Sequence, residues 1–248
     1  MILVANNEPE EKNNKKFLKR LWPIFILALT LAGIIVFDLD DFFSFEMLKN
    51  NREMILNWYD KQKFLAIAVF FAFYVLVVTL SVPGAVWLSL VAGFFMGAWA
   101  ATFLVVVAAT LGALGLFLIA RYSLAGFFQQ KTGAIGRRME AGFKKNELSY
   151  LLVLRLVPVF PFWLVNIVPA LLGVSVRTFM IGTFFGIIPG TAVFCSIGNG
   201  LSVFFDRGRV PDLKILFEPE IIAPLMGLAA LSLIPIITKK IKKLKNEE

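Results

Sequence analysis

Residues 64–120 contain no Asp, Glu, Lys or Arg. That run of 57 uncharged residues compares with roughly 20 needed for one helical crossing of a bilayer. Residues 148–200 form a second block in which only Arg155 and Arg177 are charged. Soluble cores do not call for runs of this length. In lipid, backbone polar groups find no water, so a spanning chain satisfies them as helices. The sequence therefore reads as an all-α, polytopic integral membrane protein.

Composition narrows the chemistry. The single cysteine, Cys195, permits no internal disulfide, and the chain has no histidine. That removes the commonest metal ligand and proton shuttle, so no metal, no cofactor and no catalytic residue is expected. The formal net charge is +8. Lysines flanking membrane spans account for it through anionic lipid headgroups, and no nucleic acid is required.

Residues 1–20 form a polar cytoplasmic tail ending in Lys15, Lys16, Lys19 and Arg20. Residues 21–37 read as a retained transmembrane helix, since no small-residue cleavage site follows. Over 42–63 the apolar residues Phe45, Leu48, Ile55, Leu56 and Tyr59 recur at helical spacing, with Lys49, Arg52 and Glu53 between them. This predicts an amphipathic helix on the membrane surface, with Ser44 as its N-cap. Packing on another part of the protein gives the same periodicity. Residues 64–200 form the core, residues 220–238 a last transmembrane helix, and residues 239–248 a basic cytoplasmic tail.

The core breaks where no charge occurs. Ser81-Val-Pro83-Gly84 interrupts the first block, and Gly93-Phe-Phe-Met-Gly97 interrupts it again. Proline removes a backbone donor and glycine admits positive φ. Irregular backbone at depth survives where protein or a wet cavity surrounds it. The block fits either three crossings or a re-entrant hairpin followed by one crossing, and the hairpin is preferred. The second block repeats the pattern, with a break at Pro158 and Pro161. Pro83 to Gly97 spans 14 residues and Pro158 to Gly173 spans 15, and a Thr-Phe pair follows each glycine at the same distance. Between the blocks, residues 121–147 carry six basic residues and two acids and read as a cytoplasmic connection.

Lysine and arginine counts set the orientation. With both termini and the 121–147 segment in the cytoplasm, 16 basic residues lie inside and seven outside. The two hairpins then enter from opposite faces, as an inverted repeat.

The stretch 155–166 (RLVPVFPFWLVN) concentrates the functional signal. Two prolines three apart free backbone carbonyls, Arg155 supplies a cation, and Asn166 offers donor and acceptor. Discontinuous helices form transporter sites in this way. Arg155 and Asn166 are the candidate substrate-binding residues, the ligand an anionic headgroup. For Arg155 the alternative is snorkelling to the interface; for Asn166 it is a bridge between helices. Pro83, Gly84, Gly97, Pro158, Pro161, Gly173, Pro189 and Gly190 read as structural residues of the hairpins and their helix contacts. Arg177 reads as a span end.

The 155–166 stretch, Gly173 and the segment 183–191 (TFFGIIPGT) resemble the signature of the DedA superfamily, also called the VTT-domain or SNARE-associated family, in its Tvp38-like branch. The resemblance covers about residues 64–200 and is looser over 82–97. It implies two opposed re-entrant helices, each followed by a span. It also implies lipid scrambling, as in some family members, or recycling of polyprenyl-phosphate carriers, as in bacterial ones. Arg155 matches the family's arginine before its Pro-x-x-Pro pair. Many bacterial members carry an acid directly after the first Pro-Gly, where this chain has Ala85.

The expected function is translocation or scrambling of a lipid or lipid-linked phosphate, in a bacterial plasma (inner) membrane, with membrane lipids as partners and a homo-oligomer allowed. An ion- or metabolite-coupled transporter and a membrane-organisation factor are the alternatives; an enzyme is not expected. The orientation is tested by a cysteine at Thr132 in a background lacking Cys195. We expect it to resist membrane-impermeant thiol reagents in sealed cells; labelling from outside contradicts the assignment.

Overall fold

A computed structural model describes residues 50–206, apart from Pro83, Lys145, Pro158 and Val159. The terminal tails, the spans predicted at 21–37 and 220–238, and the first part of the surface helix, with Ser44, lie outside the described residues. Seven helices are described: α1 Arg52–Lys61, α2 Lys63–Thr79, α3 Ala85–Met96, α4 Ala98–Lys144, α5 Glu147–Leu156, α6 Phe162–Leu171 and α7 Val176–Asp206. No strand occurs among the described residues.

Two stretches are long and apolar enough to cross a membrane, Ala98–Ala125 in α4 and Val176–Gly200 in α7. The chain is an integral membrane protein built round this pair. The apolar helices α3 and α6 have 12 and 10 residues. They are about 18 and 15 Å long, short of a hydrocarbon core of about 30 Å. Each follows a break in the chain. Before α3, Ser81 has φ 54° and Gly84 φ 129°, and before α6, Val157 is extended and Pro161 caps the new helix.

The long helices pack on each other at the centre. Helix α2 lies on α4 and α5 on α7, while the short helices cross over, α3 onto α7 and α6 onto α4. The fully buried core includes Val105, Phe117, Leu151, Val174, Phe179 and Cys195. After each short helix the chain turns through a positive-φ glycine, Gly97 (78°) and Gly173 (68°), into the next helix. These two glycines serve the turns.

The segment 121–147 differs from the predicted connection. Helix α4 continues through it to Lys144, redirected at Gly133 (φ 51°, ψ −123°). Its Ala, Lys, Arg, Gln, Met and Glu content suits a helix, and polarity alone concealed that. Its far end returns to the base of α5 and α6, where Phe143 meets Tyr150 with ring centroids 5.1 Å apart. At the other end, α1 and α2 are bent by 111°. Helix α1 docks on α3 through Ile55 and through Tyr59, whose ring lies 6.2 Å from Phe95. It leaves Met54 and Trp58 exposed.

The tightest helix contact, between α3 and α7, involves Gly93 of the Gly93-Phe-Phe-Met-Gly97 stretch. A Cβ on Gly93 of α3 would collide with the Cys195 carbonyl of α7, and one on Gly198 of α7 with the Leu90 carbonyl. At Gly190, by contrast, an added Cβ meets nothing within 4 Å, so that glycine serves no helix contact among the described residues. We expect Gly93→Ala and Gly198→Ala each to lower stability by about 1–3 kcal/mol through overpacking, and Gly190→Ala to leave it unchanged or raise it. Thermal melting of the detergent-solubilised protein checks the contrast.

Candidate functional site

Arg155 stands in the last turn of α5, one residue before the helix ends. The chain then leaves helical geometry and restarts as α6 behind Pro161. This folds α6 beside α5 and brings Asn166 to Arg155. The Nη2 of Arg155 donates to Asn166 Oδ1 at 2.6 Å and to Thr183 Oγ1 of α7 at 2.9 Å. Asn166 is wholly buried, and its Nδ2 donates to the Phe162 carbonyl at 2.8 Å. That bond fixes the amide, so its oxygen faces the arginine. One guanidinium thus joins three helices.

Helix α7 supplies the rest of the wall. Phe179, Thr183 and Gly186 recur at i, i+4 and i+7 and share one face. The Arg155 Cζ lies 5.4 Å from the centroid of the buried Phe179 ring. A Cβ on Gly186 would come within 2.7 Å of the Arg155 Cβ, so the missing side chain lets α7 approach α5 at this level. Behind Phe179 stacks Phe117 of α4, with centroids 4.2 Å apart and planes 29° from parallel.

Among the described residues, every direct partner of Arg155 is neutral. Glu147, the nearest acid in the chain, sits at the start of α5, and its Oε2 accepts from the Ser175 backbone N–H at 3.3 Å. Glu140 pairs with Lys144 at 2.6 Å. Among the described residues, the Arg155 Nε is the buried side-chain polar atom left without a hydrogen-bond partner. The arginine as a whole keeps part of its surface exposed. The site is therefore a cation with unused donor capacity, held by an amide, a hydroxyl and a ring face.

The sequence-predicted pair, Arg155 and Asn166, is brought into direct contact. Pro83 and Pro158 lie outside the described residues. Gly84, Gly97, Pro161 and Gly173 stand at the chain breaks and turns, and Pro189 lies within α7. Sequence reasoning misses Thr183 and Phe179. Their spacing to Gly186 is the available signal, but it acquires meaning only once α5 lies against that face.

The first half has a matching arrangement. Ser89 is the fifth residue of α3, as Asn166 is of α6. Its hydroxyl donates to the Ala85 carbonyl at 2.8 Å, and Tyr74 of α2 reaches it at 3.1 Å. Here the partner on the preceding helix is a neutral phenol, with its own second contact to the Ala85 carbonyl.

Removing an acceptor from the arginine tests the geometry. We expect Thr183→Val, which keeps shape but loses the hydroxyl, to cost about 1–3 kcal/mol of stability, and Thr183→Ser to cost less. Thermal melting of purified variants distinguishes them.

Comparison with known proteins places these residues in context. The model of the VTT domain matches residues 82–200. The chain is 30% identical over 204 residues to a transmembrane protein 41 homologue of Dictyostelium discoideum, covering 80% of this chain and 59% of that protein. It is similar to transmembrane protein 41B of Gallus gallus, 30% identical over 185 residues, with 73% and 66% covered. For the Homo sapiens protein of that name the identity is 29%, again over 185 residues, with 73% and 61% covered. The chain thus spans 59–66% of the length of these relatives. No solved structure matches it.

Proposed function

This chain belongs to the VTT-domain superfamily, also called DedA, and on that premise we propose that it passes anionic lipid headgroups through the bilayer, with Arg155 holding the headgroup. The observation that carries the proposal is the part-exposed Arg155 guanidinium, whose partners among the described residues are all neutral and whose Nε has none. A lipid-facing arginine at mid-helix costs roughly 2.5–3.5 kcal/mol on the insertion scale. A phosphate offsets that cost by accepting charge-assisted hydrogen bonds from the donors that Asn166 and Thr183 leave free. The lipid tails stay in the hydrocarbon throughout, and no bond is made or broken.

The architecture supports the same reading. The start of α5 meets the end of α6 through Glu147 and Ser175, as expected of a hairpin that enters and leaves at one face. The corner of α1 and α2 meets the end of α3 through Tyr59 and Phe95, as expected of a second hairpin. Helix α4 begins at the base of the first hairpin. It reaches the base of the second at Arg121, whose Nη1 donates to the Val174 carbonyl at 2.7 Å. We read this as two re-entrant hairpins from opposite faces, an inverted repeat with its breaks at depth. In this reading residues 121–147 face the cytoplasm. The relatives named above are eukaryotic, and nothing in them favours a bacterial plasma membrane over another membrane.

No acid lies between Lys61 and Arg138 or between Glu147 and Asp206, which favours passive exchange over proton-driven transport. The test is reconstitution into vesicles carrying a fluorescent phospholipid, with a membrane-impermeant quencher outside. We expect wild type to expose inner-leaflet label, Arg155→Ala to lose this while still inserted, and Arg155→Lys to retain part of it, keeping the charge without the fork. Wild-type exchange by Arg155→Ala contradicts the proposal.

A further inference from the structure

Resting on that reading, we infer that Phe179, backed by Phe117, is a positioning residue that takes the place of a carboxylate beside Arg155 and aims its donor edge at the incoming anion. The hydrogen bonds to Asn166 and Thr183 both leave from one nitrogen of Arg155, Nη2. They fix one corner and the plane of the guanidinium, and the ring supports that plane where no hydrogen bond does. The Phe179 ring, 5.4 Å from Cζ, lies within the range of about 6 Å at which a ring face attracts a cation. The ring face attracts the charge without supplying a carboxylate or carbonyl acceptor. The ring therefore steadies the charge without occupying a donor. A carboxylate would take the donors that Asn166 and Thr183 leave free and compete with the ligand.

The ring is itself held. Phe117 and Phe179 are both wholly buried and stack at 4.2 Å, so Phe179 has no room to turn away. Arg121 lies 5.6 Å from the Phe117 ring and is anchored on Val174. The same helix face carries ring and hydroxyl, Phe179 and Thr183, so α7 sets both contacts with one register.

Two readouts test the inference. The first is a thermal double-mutant cycle on the purified protein with Phe179→Leu and Arg155→Met, alone and together. If the ring steadies the cation, the loss of melting temperature caused by Phe179→Leu is smaller in the Arg155→Met background. Equal losses mean that Phe179 only fills volume, and overturn the inference. This arm does not require lipid exchange, so it separates failure of the ring's role from failure of the translocation reading. The second replaces Phe179 by pentafluorophenylalanine, which keeps the ring's shape and reverses the sign of its face. We expect lipid exchange to fall roughly tenfold or more, as in Phe179→Leu, with insertion unchanged. Exchange at the wild-type rate with the fluorinated ring overturns the positioning role even where the melting cycle shows coupling.

Discussion

Among the described residues the Arg155 cation rests on dipoles and a ring, and between Glu147 and Asp206 the chain has no carboxylate. That constraint organises the second half of the core. Asn166 presents its oxygen because its nitrogen is committed to Phe162. Thr183 and Phe179 reach the arginine because Gly186 removes the side chain that would hold α7 away. The nearest acid is withdrawn to Ser175. Pairing a buried charge within the protein would satisfy it permanently. On the proposed function, an unused donor keeps the site open to an external anion, at a cost in stability that the surrounding packing must offset.

The two halves follow one plan with different contents. In each, a short helix places a polar fifth residue against the helix before it, and that residue bonds back to the first carbonyl of its own helix. In the first half the contact is between hydroxyls, Tyr74 and Ser89, and the adjoining backbone is clamped where Gly93 and Gly198 bring α3 against α7. In the second half a guanidinium replaces the phenol. The first half thus has a neutral contact at this position and the second a charged one.

Much of this is legible in the sequence because its causes are local. Uncharged runs declare a membrane, and Pro83-Gly84 and the Pro158–Pro161 pair declare breaks, because two helix-disfavouring residues fall close together at each, whereas the single Pro169 and Pro189 lie within helices. Arg155 stands out as a charge in an apolar block, and Asn166 as a polar group eleven residues on. What stays hidden depends on helix docking. Phe179 and Thr183 look like ordinary apolar-helix residues until α5 lies beside them. Gly93 and Gly198 cannot be told from Gly190 by sequence, yet two sit against backbone and one is open. The helical course of residues 121–144 is masked by their charge.

If Arg155 is completed by an anionic headgroup, stability must depend on that ligand. Anything that binds the folded state alone raises its melting temperature with concentration. The measurement is the melting temperature of the purified protein in neutral detergent, titrated with a short-chain phosphatidic acid, for wild type and Arg155→Met. The expected result is a saturable rise for wild type that is absent or much reduced in the variant. Equal rises in both, or none in either, would contradict a headgroup site at Arg155.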